Sequence, residues 1–171
     1  MVPGSDLTAR LFAEVVTPED RIAVLGCTAA TVAAVTGRHG LRAVLHHDPP
    51  MGFDADPAAL AEAVAFVEEA RARFTFLCVG SPRQEIVARE VARRGRATGT
   101  ALCVGASLLF LSGEERRAPV PVQRAGLEWA WRLAQDPRRL ARRYLVEDPL
   151  LLALLWRERA RLRQRWRGSS A

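Results

Sequence analysis

The sequence predicts an α/β protein: a Rossmann-like parallel sheet with helices on both faces, followed by an all-helical, basic C-terminal extension. Three observations predict it. Up to residue 104, short apolar runs alternate with helix-length stretches, the pattern of right-handed crossovers and a parallel sheet. After Pro119 the strand pattern stops, and the remaining helical patterns each begin at or near a proline. The charge divides in the same region: up to Trp131 there are 14 Arg against 15 acidic residues, and from Arg132 onward 11 Arg against 4, so the net +6 is a C-terminal property. The expected boundary lies between residues 1–118 and 119–171, both parts belonging to one structural unit. At 171 residues the chain has the length of one ordinary domain.

Taken in order, residues 21–26 are an apolar run closed by Gly26, and Thr28 caps the alanine-rich helix of residues 28–35. Residues 41–45 read as a second strand and 46–53 as a loop, by their proline and glycine content. Asp56 caps a third element with Pro57 at its first position, a helix running to about residue 73 with Leu60, Val64 and Val67 on one face. A third strand occupies 74–79, a turn 80–82, a helix 82–94 closed by Gly95, and a fourth strand 100–104. Residues 105–113 read as a glycine turn leading into a charged hairpin. Helices are expected over 121–135, 137–145 and 149–167, with residues 168–171 as a fraying tail.

Residues 1–20 carry Asp6, Arg10 and Glu14 among their apolar positions, which excludes a secretory signal pattern. The longest apolar run, residues 150–156, is seven residues long, against the ~20 of a spanning helix. Cys27, Cys78 and Cys103 have no C-x-x-C spacing and are expected as small buried hydrophobes in a reducing cytoplasm.

Ligands in such sheets bind at the carboxyl ends of the strands. The turn at Gly26 and Thr28 opens a helix but lacks the further glycines of a dinucleotide fingerprint, which speaks against a nicotinamide enzyme and leaves an anion at the helix N-terminus or an ordinary turn. His46, His47 and Asp48 are adjacent on an extended segment with no spaced fourth ligand, which disfavours a metal and leaves a loop that touches substrate. Gly80-Ser81-Pro82-Arg83-Gln84-Glu85 is more pointed. Free N–H groups of a first helical turn favour phosphate or carboxylate oxygens, Arg83 adds charge, and Gln84 can donate and accept; Glu85 also suits the helix dipole as a purely structural residue.

That segment resembles a G-x-P-[KR]-Q-E motif. Val104-Gly105-Ala106-Ser107 with Phe110-Leu111 and Gly113 resembles V-G-A-x-F-D-F-L-x-G, and Arg117-Ala118-Pro119 its R-A-P continuation. Gly126-Leu127-Glu128-Trp129, Arg132-Leu133, Pro137, Arg139-Leu140 and Arg143-Tyr144 resemble the G-L-E-W-x-x-R-L-x-x-x-P-x-R-L-x-x-R-Y signature of the WecG/TagA/CpsF family of bacterial glycosyltransferases, with weaker similarity back to residues 2–7. The resemblance implies inverting, metal-independent transfer of a hexose or N-acetylhexosamine of the N-acetylmannosamine type from a UDP-sugar to a polyprenyl-diphosphate-linked acceptor, in cell-surface polysaccharide biosynthesis. It implies no cofactor. The donor pocket would draw on Gly26, Thr28, Gly80, Ser81, Pro82, Arg83, Gln84, Glu85, Gly105 and Ala106, with Gln84 the candidate for direct catalytic contact. Arg132, Arg139, Arg142 and Arg143 would meet the acceptor diphosphate.

Trp156 and Trp166 among the arginines of 157–167 suit an anionic membrane surface, each arginine contributing about 1 kcal/mol there; the alternative is that residues 150–156 dock on the body or on a second subunit. The chain is thus expected in the cytoplasm, peripheral at the inner face of the membrane, with a second copy or a complementary N-terminal subunit as a further partner. Nucleic acid is not expected, since the body has no basic face or reading motif. Two departures from the family pattern bear on activity. Family members begin well upstream, with a segment holding the aspartate proposed as general base, and Leu108-Leu109 stands where the family has Phe-Asp. The alternative expectation is therefore a catalytically impaired or split-half paralogue that binds nucleotide sugar or a partner.

Overall fold

The computed structural model of the chain describes residues 4–114 together with Pro119, Val122, Ala130, Trp131 and Ala134. Backbone contacts divide the chain into Met1–Arg116 and Arg117–Ala171. Of the helix expected over 121–135, Val122, Ala130, Trp131 and Ala134 are described and are helical; its other residues and the helices expected over 137–145 and 149–167 lie outside the described residues.

Four parallel strands build the sheet: β1 (Arg21–Leu25), β2 (Ala43–His47), β3 (Phe74–Leu77) and β4 (Thr100–Cys103), in the spatial order β2-β1-β3-β4. Leu25 of β1 pairs with His47 on one side and Leu77 on the other. Five helices connect or flank the strands: α1 (Gly4–Glu14), α2 (Ala29–His39), α3 (Pro57–Ala70), α4 (Arg83–Arg94) and α5 (Ser107–Ser112). The central strands are buried on both faces, which is why Ile22, Ala23, Val24 and Leu25 form an unbroken apolar run rather than an alternating one.

The pleat sends alternate residues of one strand into two separate cores. Ile22, Val24, Phe74 and Phe76 meet Phe12 of α1, Val32 and Val35 of α2 and Leu108 of α5. Leu25 and Leu77 meet Val64 and Val67 of α3 and Val87 and Val91 of α4. Ala23, facing Ala70 and Ala72, keeps α3 close to the sheet. Full burial of a side chain such as Ile22, Phe76 or Leu77 contributes roughly 1.5–3 kcal/mol.

Local chemistry sets the ends. The Thr28 hydroxyl accepts from the Thr31 N–H at 3.1 Å and opens α2, and Gly40 in the left-handed region closes it. The Asp56 carboxylate accepts from the N–H groups of Ala58 and Ala59 at the start of α3, with Pro57 at the first position. Gly95 closes α4 as expected.

Several sequence expectations shift. The second helix runs past residue 35 to His39, and the third stops at Ala70, where Arg71 turns left-handed, rather than near residue 73. The second strand is Ala43–His47, not 41–45, because Leu41 is used in closing α2 through its N–H to the Thr36 carbonyl. His46 and His47 are therefore strand residues and not loop. The third strand ends at Leu77, not Val79, and the fourth at Cys103. Residues 105–113 are not a plain turn: they contain α5, which buries Leu108, and its six residues are too short for helical periodicity to register. The unassigned N-terminal segment forms α1, whose buried face is Thr8 and Phe12.

Candidate functional site

The strand order places β1 between β2 and β3, so the chain leaving β1 runs towards β2 while the chain leaving β3 runs the opposite way, towards β4. In open α/β sheets ligands bind at the carboxyl ends of the strands where the order reverses. A cavity of about 390 Å³ opens there, lined by Gly26 and Cys27 after β1, by residues 48–53 after β2, and by Cys78, Val79 and Arg83 after β3. Its volume lies within the range of small-molecule sites.

Gly26 is what allows the floor of the cavity to form. Its φ is +90°, and a Cβ there would stand 2.9 Å from Val79 Cγ1 and 3.0 Å from the backbone of Cys78 and Val79. Only a residue without a side chain lets the chain leaving β1 cross so close to the chain leaving β3. Cys27 continues the turn at φ 68°. The Cys27 carbonyl lies 3.1 Å from His46 Nε2, which ties this turn to the edge strand.

The β2–α3 loop forms the outer wall, with Pro49, Pro50 and the exposed Met51 at the rim and the buried Phe53 beneath. Arg83 Nε donates to Asp54 Oδ1 at 3.0 Å, holding this loop against the first turn of α4. Arg83 is the cation and Asp48 the anion on the cavity lining. The Ser81–Pro82 peptide is cis, and α4 begins without a side-chain cap, so the positive end of its dipole is not covered by one.

Gln84 occupies a different place. It is buried, its Oε1 accepts from the Gly105 N–H at 2.9 Å, and its Nε2 donates to Glu85 Oε1 at 2.9 Å. It joins the start of α4 to the β4–α5 turn, and both ends of its amide are engaged within the protein. The Cys103 thiol donates to the Gln84 carbonyl at 3.7 Å, on the same junction.

Of the residues singled out in the sequence, Gly26 and Arg83 line the cavity, and Gly80, Ser81 and Pro82 form the connection above it without being part of the lining. Thr28 is engaged as the cap of α2, its hydroxyl 2.9 Å from that of Thr31. Gln84, Glu85, Gly105 and Ala106 cluster at the α4 to β4–α5 junction. Arg132, Arg139, Arg142, Arg143, Trp156 and Trp166 lie outside the described residues. Among the described residues no group of three or more His, Cys, Asp and Glu is placed to hold a metal ion, and no helix is long and apolar enough to cross a membrane.

The cysteines correct an expectation. Cys103 is exposed, on the edge strand of the described sheet, and Cys27 and Cys78 are only half-buried, both on the cavity wall. The neighbouring Cys78 thiol holds the Cys27 thiol below its ordinary range, against the opposing effects of burial, Asp48 and Glu114. The Cys27 thiol, with burial, pushes Cys78 far up. Burial and then Glu85 raise Cys103. The pairing of the two cavity cysteines and the Asp54 latch are features that single motifs do not carry, whereas Asp48 stands in the segment expected to touch substrate. The cysteines' signal is their place inside or at the end of two apolar runs, which becomes meaningful only once those runs are known to be neighbours.

The family model described as "Glycosyl transferase WecG/TagA/CpsF family" matches residues 1–165. The match spans the sheet, the cavity at its switch point and the basic segment beyond, and agrees with the motif order in the sequence. The chain belongs to the WecG/TagA/CpsF family of glycosyltransferases, enzymes of cell-surface polysaccharide biosynthesis that imply a nucleotide-sugar donor and a lipid-linked acceptor.

Proposed function

We propose that the cavity between the ends of β1 and β3 holds a UDP-sugar, and that the chain transfers a hexose or N-acetylhexosamine to a polyprenyl-diphosphate-linked acceptor with inversion. The observation that carries the reading is the position of the cavity at the strand-order reversal, with one cation, Arg83, on its lining beside the start of α4. The donor diphosphate lies against Arg83 and the α4 N-terminus, where charge and dipole agree. Asp48 repels phosphate and accepts hydrogen bonds from hydroxyl groups, which orients the sugar towards that side. Pro49, Pro50 and Met51 offer apolar surface to the base.

In the transfer, an acceptor oxygen bonds to the sugar C1 as the bond from C1 to the donor phosphate breaks. UDP departs with the electron pair, and the acceptor proton passes to a base. Arg83 stabilises the charge that grows on the leaving diphosphate. Gln84 acts by positioning: through Gly105 and Glu85 it fixes the α4 turn relative to the β4–α5 turn. We assign Arg132, Arg139, Arg142 and Arg143 to the acceptor diphosphate, and Trp156 and Trp166 with the neighbouring arginines to an anionic membrane face, on the charge distribution of the sequence.

Calorimetric titration with UDP tests the pocket. Arg83→Ala is expected to weaken binding by about tenfold or more, as loss of a charge-assisted contact of roughly 1.5–3 kcal/mol requires. Unchanged affinity removes Arg83 from the donor site. The second reading, a nucleotide-sugar-binding module with impaired transfer, is favoured by Leu109 at the position of the family carboxylate. A chain that binds UDP but transfers sugar ~100-fold or more below a family member with a carboxylate at that position supports that reading, since a general acid or base contributes at least that factor.

A further inference from the structure

We propose that Cys27 and Cys78 form a dithiol site on the cavity wall, which a low-molecular-weight disulfide oxidises to a Cys27–Cys78 disulfide that closes the cavity to its ligand. The two residues follow adjacent parallel strands. Leu25 pairs with Leu77, and the Cys78 N–H donates to the Leu25 carbonyl at 2.7 Å, so the pairing continues one step beyond the strands. In that register Cys78 stands opposite Gly26 and Cys27 is the next residue along, so the two cysteines are diagonal neighbours, both packed against the apolar cluster of Ile22, Val24 and Phe76. Neighbouring strands lie ~4.8 Å apart, and a disulfide spans Cα separations of ~4.4–6.8 Å. Gly26 at φ 90° and Cys27 at φ 68° then turn the chain, and Cys27, a non-glycine residue in the left-handed region, is one of two such residues among those described. Both cysteines line the cavity and pack against the same apolar cluster. With no third His, Cys, Asp or Glu placed alongside among the described residues, the pair falls short of the ligand count of a structural or catalytic zinc site. What remains is two-thiol chemistry.

Cys27, at the turn after β1 and with its thiol held below the ordinary range, reacts as thiolate; Cys78, whose thiol is pushed up, is the resolving thiol. Cys27 sulfur attacks the oxidant RS–SR, forming Cys27–S–SR and releasing RS⁻. Cys78, giving up its proton, attacks the Cys27 sulfur, forming the internal disulfide and releasing the second RS⁻. The protein loses two electrons and two protons, and the oxidant becomes two RSH. The new bond draws the ends of β1 and β3 together across the cavity floor.

The test uses the full chain, with glutathione disulfide as the oxidant. Tryptic cleavage at arginine places Cys27, Cys78 and Cys103 in separate peptides, 22–38, 74–83 and 97–116. After limited oxidation and blocking of free thiols, the expected product is the linked pair 22–38 with 74–83, formed ahead of any glutathione adduct at Cys103. In Cys78→Ser the glutathione adduct at Cys27 is expected to persist, and Cys103→Ser is expected to change nothing. Modification of Cys103 first, or a stable adduct at Cys27 in the unaltered chain, overturns the dithiol. The closure of the cavity rests on the proposed donor pocket and is read separately. UDP affinity is expected to fall by about tenfold or more on oxidation, a loss of ~1.4 kcal/mol, and to return on reduction. Equal UDP affinity in both states overturns the closure. A reduced chain that does not bind UDP refutes the donor reading and leaves the peptide map to decide the dithiol.

Discussion

Replacing Gln84 by alanine separates a positioning role from a direct contact with the donor. The side chain is buried, its Oε1 receives the Gly105 N–H, and its Nε2 donates to Glu85. Truncation leaves the Gly105 N–H with only its longer bond to the Leu77 carbonyl at 3.3 Å, so the loss is that of one hydrogen bond, roughly 0.5–1.5 kcal/mol. Loss of the bond to the Glu85 carboxylate adds less, since that side chain is exposed. A total of about 1–2 kcal/mol corresponds to a fall in Tm of about 2–8 °C for a domain of this length. The amide asymmetry supplies an internal check. Gln84→Glu keeps an acceptor for Gly105 but sets a second carboxylate against Glu85, so it is expected to destabilise; adding Glu85→Gln restores a donor and an acceptor in reversed order and is expected to recover most of the loss. Urea unfolding of the parent, Gln84→Glu, Glu85→Gln and the double variant, monitored by circular dichroism, gives the double-mutant cycle, with Gln84→Ala measured beside it. If Gln84→Ala leaves the midpoint unchanged while abolishing UDP binding, Gln84 is a donor contact and the positioning argument fails.

Gly26→Ala places a Cβ against Val79 Cγ1 and the Cys78 backbone at a φ of +90°, and is expected to lower stability by roughly 2–4 kcal/mol through strain and overpacking, measured as the urea midpoint. Thr28→Ala removes the cap of α2 and is expected to cost about 1 kcal/mol, with Thr28→Asp recovering it. The His39 ring packs on Phe12 with centroids 4.9 Å apart, its Nε2 is buried without a partner, and burial and then Arg38 hold its pKa below the ordinary 6.5. The unfolded chain therefore binds a proton before the folded one does. Stability from this residue is complete above about pH 6.5 and is lost as pH falls from there through the lowered native value; His39→Phe is expected to flatten that part of the profile.

Periodicity was sufficient to predict a parallel α/β sheet, because the buried strands 21–25 and 74–77 are apolar on both faces and glycine or a capping side chain marks the helix ends. Ordered motifs such as Gly80-Ser81-Pro82-Arg83-Gln84-Glu85 were sufficient for the family, since each preserves residue types at fixed spacing. Short elements escaped: α5 has six residues, fewer than two turns, and only the burial of Leu108 against β1 and β3 explains it.

The site depended on tertiary structure for a more general reason. Gln84 stood out by its chemistry, but a side chain's role depends on which groups it meets, and its partner Gly105 lies 21 residues away in the chain. Cys27 and Cys78, each unremarkable in its own run, come together because the crossover from β2 carries the chain past β1 and lays β3 on its other side. Which segments form the strands and longer helices, and where charge accumulates, could be read from the residues alone, since those depend on neighbours along the chain. Strand order, the cavity at its reversal and the pairing of thiols were decided by packing, which brings together residues that local patterning cannot relate.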